Sequence, residues 1–360
     1  MKELTIIIPS NSRPFFLRRS VNYWNNYSFP VIIVDGSNNT QREWMDENSN
    51  ENIQYFHRKT TFPERLKQAG KLLKTKYAIL LSDDEFYSVD ALNKCINFLE
   101  SNNEYVAVNG RAVGFLYKND KLVGEAVYAK WAERKRTEED PKERMILHMT
   151  DYANPLGVSV IKSSLWCKCA NLYADNEFPI FAQWELLMNL ILSFAGKSKT
   201  LDILMYFRSF EDDSPPIPNI TKNHIPSLNL KNKIYKIWFN SRYEKLKMNF
   251  INVTSNFLFS LRPEVGLNNC KNALIKSLDN FVISRINNEN KNILSKIYYI
   301  ILKLIKNIKK FIIKLLFKVE IYKYKSLADV IKLLEKQGVN VNHKDLNQIT
   351  FALNFSKRNK

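Results

Sequence analysis

The 360 residues are 45% apolar and 12% aromatic, with only nine glycines and twelve prolines; this excludes a disordered or collagen-like chain and leaves room for one large domain plus a second element. Four scattered cysteines, Cys95, Cys167, Cys169 and Cys270, exclude a disulfide framework, and Cys167-x-Cys169 lacks two further ligands at zinc spacing, so packed, reduced thiols are expected. The net charge of +18 is one-sided: residues 1–215 carry 27 Lys and Arg against 28 Asp and Glu, residues 216–360 carry 27 against 8, which points to a neutral working domain followed by a basic region that meets something anionic.

The opening run Leu4–Ile8 is too short for a secretory apolar region and ends at Pro9. With three more short runs, Val31–Val34, Ile53–Phe56 and Tyr77–Leu81, it reads as strands buried on both faces. Pro14–Asn25 and Pro63–Lys74 read as helices between them, each with Pro in its first turn. This alternation predicts an α/β fold with an open, mostly parallel, Rossmann-like sheet flanked by helices. Ligands on such sheets bind beyond the carboxyl ends of the strands. Three polar clusters fall there: Pro9-Ser10-Asn11-Ser12-Arg13, Asp35-Gly36-Ser37 and Ser82-Asp83-Asp84-Glu85. Tyr105–Val108 reads as a strand and Lys130–Arg144 as an exposed charged stretch. Trp184–Phe194 reads as an apolar helix, Leu201–Phe207 as a strand, and Pro215–Pro218 as the end of the domain. No stretch is apolar and long enough for a spanning helix.

From about residue 230 the composition turns to Lys, Asn, Ile, Leu and Tyr. Ile297–Lys318 predicts a helix with Ile, Leu and Phe on one face, and Lys296–Lys318 holds seven lysines and no acid. That pattern suits a helix lying in the plane of an anionic membrane surface, or a core helix packed on neighbours. The 216–360 segment has four arginines and no nucleic-acid-binding module, so nucleic acid is not expected as a partner. Ser326–Gln337 and Lys344–Asn354 read as closing helices joined through Gly338.

Three consecutive acids at a strand end repel one another unless a cation compensates. A divalent metal such as Mn²⁺ or Mg²⁺, shared with a diphosphate, would supply it, with Asp84 and Glu85 as ligands; capping of the following helix explains the same acids without a metal. Asp35 can accept hydrogen bonds from a base or ribose, or merely form an Asp-Gly turn. Arg13 can meet a phosphate, or be a surface arginine after an Asn/Ser turn.

Together these segments resemble the GT-A glycosyltransferases, specifically the inverting family 2, across residues 3–215. Thr5–Arg13 resembles that family's opening strand and Pro-x-x-Asn-Arg-type turn, and Val31–Ser37 its second strand with Asp-Gly-Ser. Leu81–Glu85 with Val89-Asp90-Ala91-Leu92 resembles its metal-binding Asp-x-Asp and the helix after it. Ser82 stands where the family has its first Asp, and Asp84 matches the second, which makes Asp83 and Glu85 substitutes. Trp184-Glu185 resembles the acceptor-side segment that carries the catalytic base, and Tyr206-Phe207-Arg208-Ser209 resembles a late strand followed by Tyr-Arg. The resemblance implies sugar transfer with inversion from a nucleotide sugar, a UDP-sugar first, to a glycan or lipid-linked acceptor, in capsule, O-antigen or other surface-polysaccharide synthesis. It implies donor contacts at Pro9, Asn11, Arg13, Asp35 and Asp83, metal ligands Asp84 and Glu85, and Glu185 as base with Asp175 in reserve, beside Glu177. Two domains, 1–215 and 216–360, and a cytoplasmic protein peripheral on the inner face of the membrane are expected. A nucleotidyl- or phosphotransferase is the alternative, although no Gly-rich phosphate loop is present. The Ser82 departure also leaves a non-catalytic sugar-nucleotide or membrane-binding protein open.

Overall fold

The computed structural model describes residues 3–118, 121–153, 155–176, 178, 180, 182–211, 243–285 and 325–355. Four strands, β1 (Leu4–Ser10), β2 (Val31–Asp35), β3 (Ile53–His57) and β4 (Tyr77–Leu80), form a parallel block in the order β3-β2-β1-β4. Helices α1 (Pro14–Trp24), α2 (Arg42–Asn48) and α3 (Phe62–Leu72) connect them. Their side chains alternate between two cores. Leu4, Ile6, Ile8, Val31 and Ile33 enter one, while Ile7, Ile32 and Val34 enter the other. Both faces are therefore apolar and covered, which is why the runs show no polar alternation.

Beyond β4 the sheet becomes mixed. A short β5 (Phe86–Tyr87) leads into α4 (Val89–Ser101), whose first turn is capped by the Ser88 hydroxyl. β6 (Tyr105–Lys118) and β7 (Lys121–Ala126) then form an antiparallel pair. After β8 (Lys135–Arg136) and α5 (Pro141–Thr150), β9 (Val160–Lys162) fits antiparallel between β4 and β6. Helices α6 (Ser163–Asp175) and α7 (Ala182–Ala195) precede β10 (Lys197–Ser209), which is parallel to β6 and antiparallel to β5 and β8. The parallel pairing expected of the chain thus holds through β3-β2-β1-β4 and again at β6–β10, and the intervening pairs are antiparallel.

β6 runs well past the short strand expected at Tyr105–Val108, because Asn109-Gly110-Arg111 hides its continuation. Gly110 is needed there: a Cβ would lie 2.5 Å from the Ile203 carbonyl oxygen on the crossing strand. The stretch from Lys130 to Arg144, expected to be exposed, buries Trp131, Arg134 and Arg144. Arg144 Nε donates to the Ser193 carbonyl at 2.6 Å and its second terminal nitrogen to that of Phe194 at 2.8 Å. The arginine thereby satisfies two carbonyls that the C-terminus of α7 leaves open.

The described C-terminal helices pack into the same two cores as the sheet. Glu244–Leu261 and 267–285 contribute Phe250, Leu258, Leu274 and Phe281 to the core that also holds α5, α6 and α7. β11 (Lys325–Ser326) adds to the free edge of β7. Helices Leu327–Lys336 and His343–Phe355 then place Val330, Leu334, Ile349 and Leu353 in the core formed by α1, α4 and β1. Buried Asp345 accepts from the Ser88 hydroxyl at 2.6 Å and the Asp90 N–H at 2.8 Å, so the last helix completes the α4 cap. The boundary expected near residue 215, the Pro215–Pro218 segment and the Ile297–Lys318 helix lie outside the described residues. No helix among the described residues is long and apolar enough to cross a membrane. The four cysteines are unpaired.

Candidate active site

The three polar clusters meet at the carboxyl ends of β1, β2 and β4. β1–β2 pairing sets Pro9 beside Val34 and Ser10 beside Asp35, while β1–β4 pairing sets Ile7 beside Leu80. The β1 turn passes through Ser12 in the left-handed region at φ 58°. Its N–H donates to the Ser37 hydroxyl at 2.7 Å, which ties the first turn to the second.

Arg13 closes the first turn on the third. One terminal nitrogen lies 3.0 Å from Asp83 Oδ1 and the other donates to Asp84 Oδ2 at 2.7 Å. Ser10 donates to Asp83 Oδ2 at 2.6 Å, and Ser82 donates to Asp84 Oδ1 at 2.7 Å. Loss of hydration outweighs these partners at Asp83, and its carboxyl is pushed up to about 7 against the pull of Arg13 and Ser10. The neighbouring acids in turn raise Arg13, overcoming its own burial. Glu85 takes a different place: burial raises Tyr206 on β10 and Tyr128, and the nearby Glu85 charge raises both further. Tyr128 is left-handed at φ 54°, stacks 4.3 Å from Trp131 and accepts a hydrogen bond from Arg208.

Asp35 is fully buried. Its Oδ1 accepts from the Ser37 N–H at 2.9 Å and from the Ser37 hydroxyl, and Oδ2 accepts from Tyr55 at 2.7 Å. In this arrangement the carboxylate organises the second turn. Beneath it, Arg65 donates to the carbonyls of Ser10 at 2.6 Å and Val34 at 3.0 Å, and burial lowers it to about 10. The guanidinium lies flat against Gly36, where a Cβ would come within 2.7 Å of its central carbon. Glycine is required in this Asp-Gly turn by that close approach. A third arginine, Arg19, reaches from α1 to the Asp84 carbonyl at 2.9 Å and pairs with Glu211 at 2.7 Å. The Nε groups of Arg13, Arg19 and Arg65 are buried without an acceptor among the described residues. Asn11 is half-buried and makes no side-chain hydrogen bond among them.

Glu185 lies in the first turn of α7, beside Trp184, which packs against Tyr173 and Trp166 on α6. It accepts from the Tyr152 hydroxyl at 2.6 Å through Oε1. Burial raises Tyr128 to about 12, and the charges of both Glu85 and Glu185 reach it and add to that rise. Asp175 does not join them; it is at the surface at the end of α6, paired with Lys67. Glu177 lies outside the described residues. His148 is fully buried on α5 and held neutral, lowered to about 3 by loss of hydration and nearby Arg134.

No group of three or more His, Cys, Asp or Glu that could hold a metal occurs among the described residues. A metal shared with a diphosphate needs only one or two protein carboxylates. Asp83 and Asp84 offer hard oxygens at the strand end, but all four of these oxygens already meet Arg13, Ser10 or Ser82, so an ion there would have to displace Arg13.

No protein-family model and no curated protein matches the chain. Among solved structures, the crystal structure of S. aureus TarS 1-349 shares 11% identity over 81% of this chain and 92% of its own, with a TM-score of 0.43. The same protein in complex with UDP-GlcNAc shares 11% identity over 81% and 92%, with a TM-score of 0.45. S. aureus TarS shares 13% identity over 79% and 55%, with a TM-score of 0.39.

Proposed function

We propose that the chain is an inverting glycosyltransferase that uses a nucleotide-sugar donor, a UDP-sugar first, and a glycan or lipid-linked acceptor in surface-polysaccharide synthesis. The observation that supports this reading is the Arg13–Asp83–Asp84 turn at the carboxyl ends of β1 and β4, with the charges of Glu85, which follows that turn, and of Glu185 both reaching Tyr128. Direct displacement needs both parts. Glu185 takes the proton of the acceptor hydroxyl, whose oxygen forms the new bond to the anomeric carbon as the bond to the diphosphate breaks. Negative charge then builds on the leaving diphosphate. Arg13 supplies positive charge beside it.

Asp84, with Asp83 beside it, would hold a Mn²⁺ or Mg²⁺ ion; such an ion supplies Lewis-acid stabilisation of the leaving diphosphate. Glu85, whose charge reaches Tyr206 and Tyr128, would stand beside Asp84 as the second expected ligand. Pro9, Asn11 and Asp35 build the donor side, Asp35 by fixing Ser37 and Tyr55. The basic segment containing Ile297–Lys318 is proposed to meet an anionic membrane on its cytoplasmic side and bring the acceptor within reach.

The decisive experiment pairs transfer and binding. Glu185→Gln should lower transfer by about 10²–10⁴-fold while nucleotide-sugar binding by calorimetry stays intact. Asp84→Ala should lose both transfer and metal-dependent nucleotide binding. Near-normal turnover by Glu185→Gln would remove the base assignment. If the wild type releases or transfers sugar from no nucleotide sugar with Mn²⁺ or Mg²⁺, the glycosyltransferase reading fails.

A further inference from the structure

Behind Glu185 lies a chain of buried polar groups that the displacement described above does not use. Tyr152, two residues beyond α5, donates its hydroxyl to Glu185 Oε1 at 2.6 Å. Asn189, one helical turn after Glu185, sends its Nδ2 to the Glu185 carbonyl at 2.7 Å and approaches the Tyr152 oxygen at 3.5 Å. With Nδ2 donating, Asn189 Oδ1 must accept, and it meets His148 Nε2 at 2.8 Å. That fixes the tautomer: His148 carries its proton on Nε2, and Nδ1 is buried without a partner.

The hydrogen bonds named here run toward Glu185. Imidazole donates to amide, amide to the glutamate's own backbone and toward the phenol oxygen, and phenol to carboxylate. Aligned donors polarise one another in a buried setting and favour negative charge at the end of the chain. The surroundings hold the phenol in place. Phe281 meets its ring edge-on at 4.9 Å, and the Arg285 guanidinium lies 5.4 Å from it. Burial and the Glu185 carboxylate push the Tyr152 hydroxyl well above its ordinary value, so it remains a donor.

We propose that Tyr152, backed by Asn189 and His148, is the positioning residue of the acceptor-side base. It pins Glu185 through Oε1 and leaves Oε2, which has no hydrogen-bond partner among the described residues, to receive the acceptor's proton. This rests on the glycosyltransferase reading and adds to it the element that orients the carboxylate. The network is built at some cost, since three polar side chains, Tyr152, Asn189 and His148, are withdrawn from water inside the core that α5, α7 and helix 267–285 share. A helix pair that needed only packing would fill these positions with apolar residues.

The test is a double-mutant cycle between Tyr152→Phe and Glu185→Gln, read as kcat and donor KM, with melting curves of each variant. Tyr152→Phe removes one oxygen and keeps the ring. It should lower kcat about 10- to 100-fold, the rate equivalent of one hydrogen bond to a charged group, with donor KM and UDP affinity unchanged. In the Glu185→Gln background the same substitution should cost little, because the group it positions is already gone. Asn189→Ala, should Tyr152→Phe fail to fold, must show the same non-additivity with a smaller loss. Equal losses in both backgrounds would make the network structural only and overturn the proposal, leaving the glycosyltransferase reading intact. Absence of wild-type transfer would overturn both.

Discussion

Asp83 and His148 are both buried and both displaced from their ordinary titration ranges, in opposite senses. Asp83 rises to about 7 because it has lost its hydration, and His148 falls to about 3 for the same reason. The consequences for stability oppose each other. The Asp83 contribution is fully present below the unfolded value near pH 4, where the carboxyl is protonated in both states, and is lost as pH rises through about 7. The His148 contribution is present above about pH 6.5 and is lost as pH falls toward about 3, because the unfolded imidazole takes up a proton that the folded one refuses. Between about pH 4 and 6.5 each slope approaches 1.4 kcal/mol per pH unit, the limit for one proton, and together they nearly cancel. Single substitutions should separate them. In urea titrations across that range, His148→Gln should become more stable, relative to wild type, as pH falls. Asp83→Asn should become less stable. Each relative change should reach about 3 kcal/mol over the window, order of magnitude. If the two variants keep the wild-type slope, or both move the same way, burial is not what governs these two groups.

Two other outcomes follow from features already described. Gly36→Ala should destabilise the protein by about 1–3 kcal/mol in a melt and weaken nucleotide binding, because the new methyl drives Arg65 off the Ser10 and Val34 carbonyls; an unchanged melt and affinity would mean that Arg65 is not fixed there. In vesicle co-sedimentation, binding should rise with anionic lipid at about 1 kcal/mol per engaged lysine and fall with salt. Lysine-to-glutamine changes across Lys303, Lys306, Lys310 and Lys314 should abolish it, and binding indifferent to both salt and these changes would refute the membrane proposal.

The parallel block was legible in the sequence because its strands are buried on both faces, which writes continuous apolar runs. The turns after β1, β2 and β4 were legible as polar clusters directly after such runs, although each cluster alone also reads as a helix cap or a simple turn. What escaped notice depends on contacts far apart in the chain. Arg65 reaches Ser10, and Arg19 reaches Asp84, from helices whose sequences look ordinary. A signal did exist for Arg19. It shares the apolar face of α1 with Phe16, Ser20 and Tyr23, where a solvent-facing arginine would not be placed. His148 likewise shares its buried face with Arg144, Met145 and Met149. A charged or titratable residue inside an apolar stripe marks a buried partner, but the sequence does not name the partner. The exposed reading of Lys130–Arg144 missed only Trp131, Arg134 and Arg144, since charge density alone cannot distinguish arginines that satisfy carbonyls from those that face water.

The closing of the sheet by residues 325–355 has a consequence for how this chain is made. The apolar side formed by α1, α4 and β1 is covered by Leu327, Val330, Ile331, Leu334, Ile349 and Leu353, and all of these are synthesised well after β10. At ordinary elongation rates of about 5–20 residues per second, that side waits roughly 7 to 30 s for its cover after β10 has been made. During this interval the nascent chain presents a broad sticky surface beside a nearly finished sheet. Holding factors that bind exposed apolar segments should therefore associate with ribosome-bound chains between the completion of Ser209 and the arrival of Leu353, and depart once Asp345 has reached Ser88.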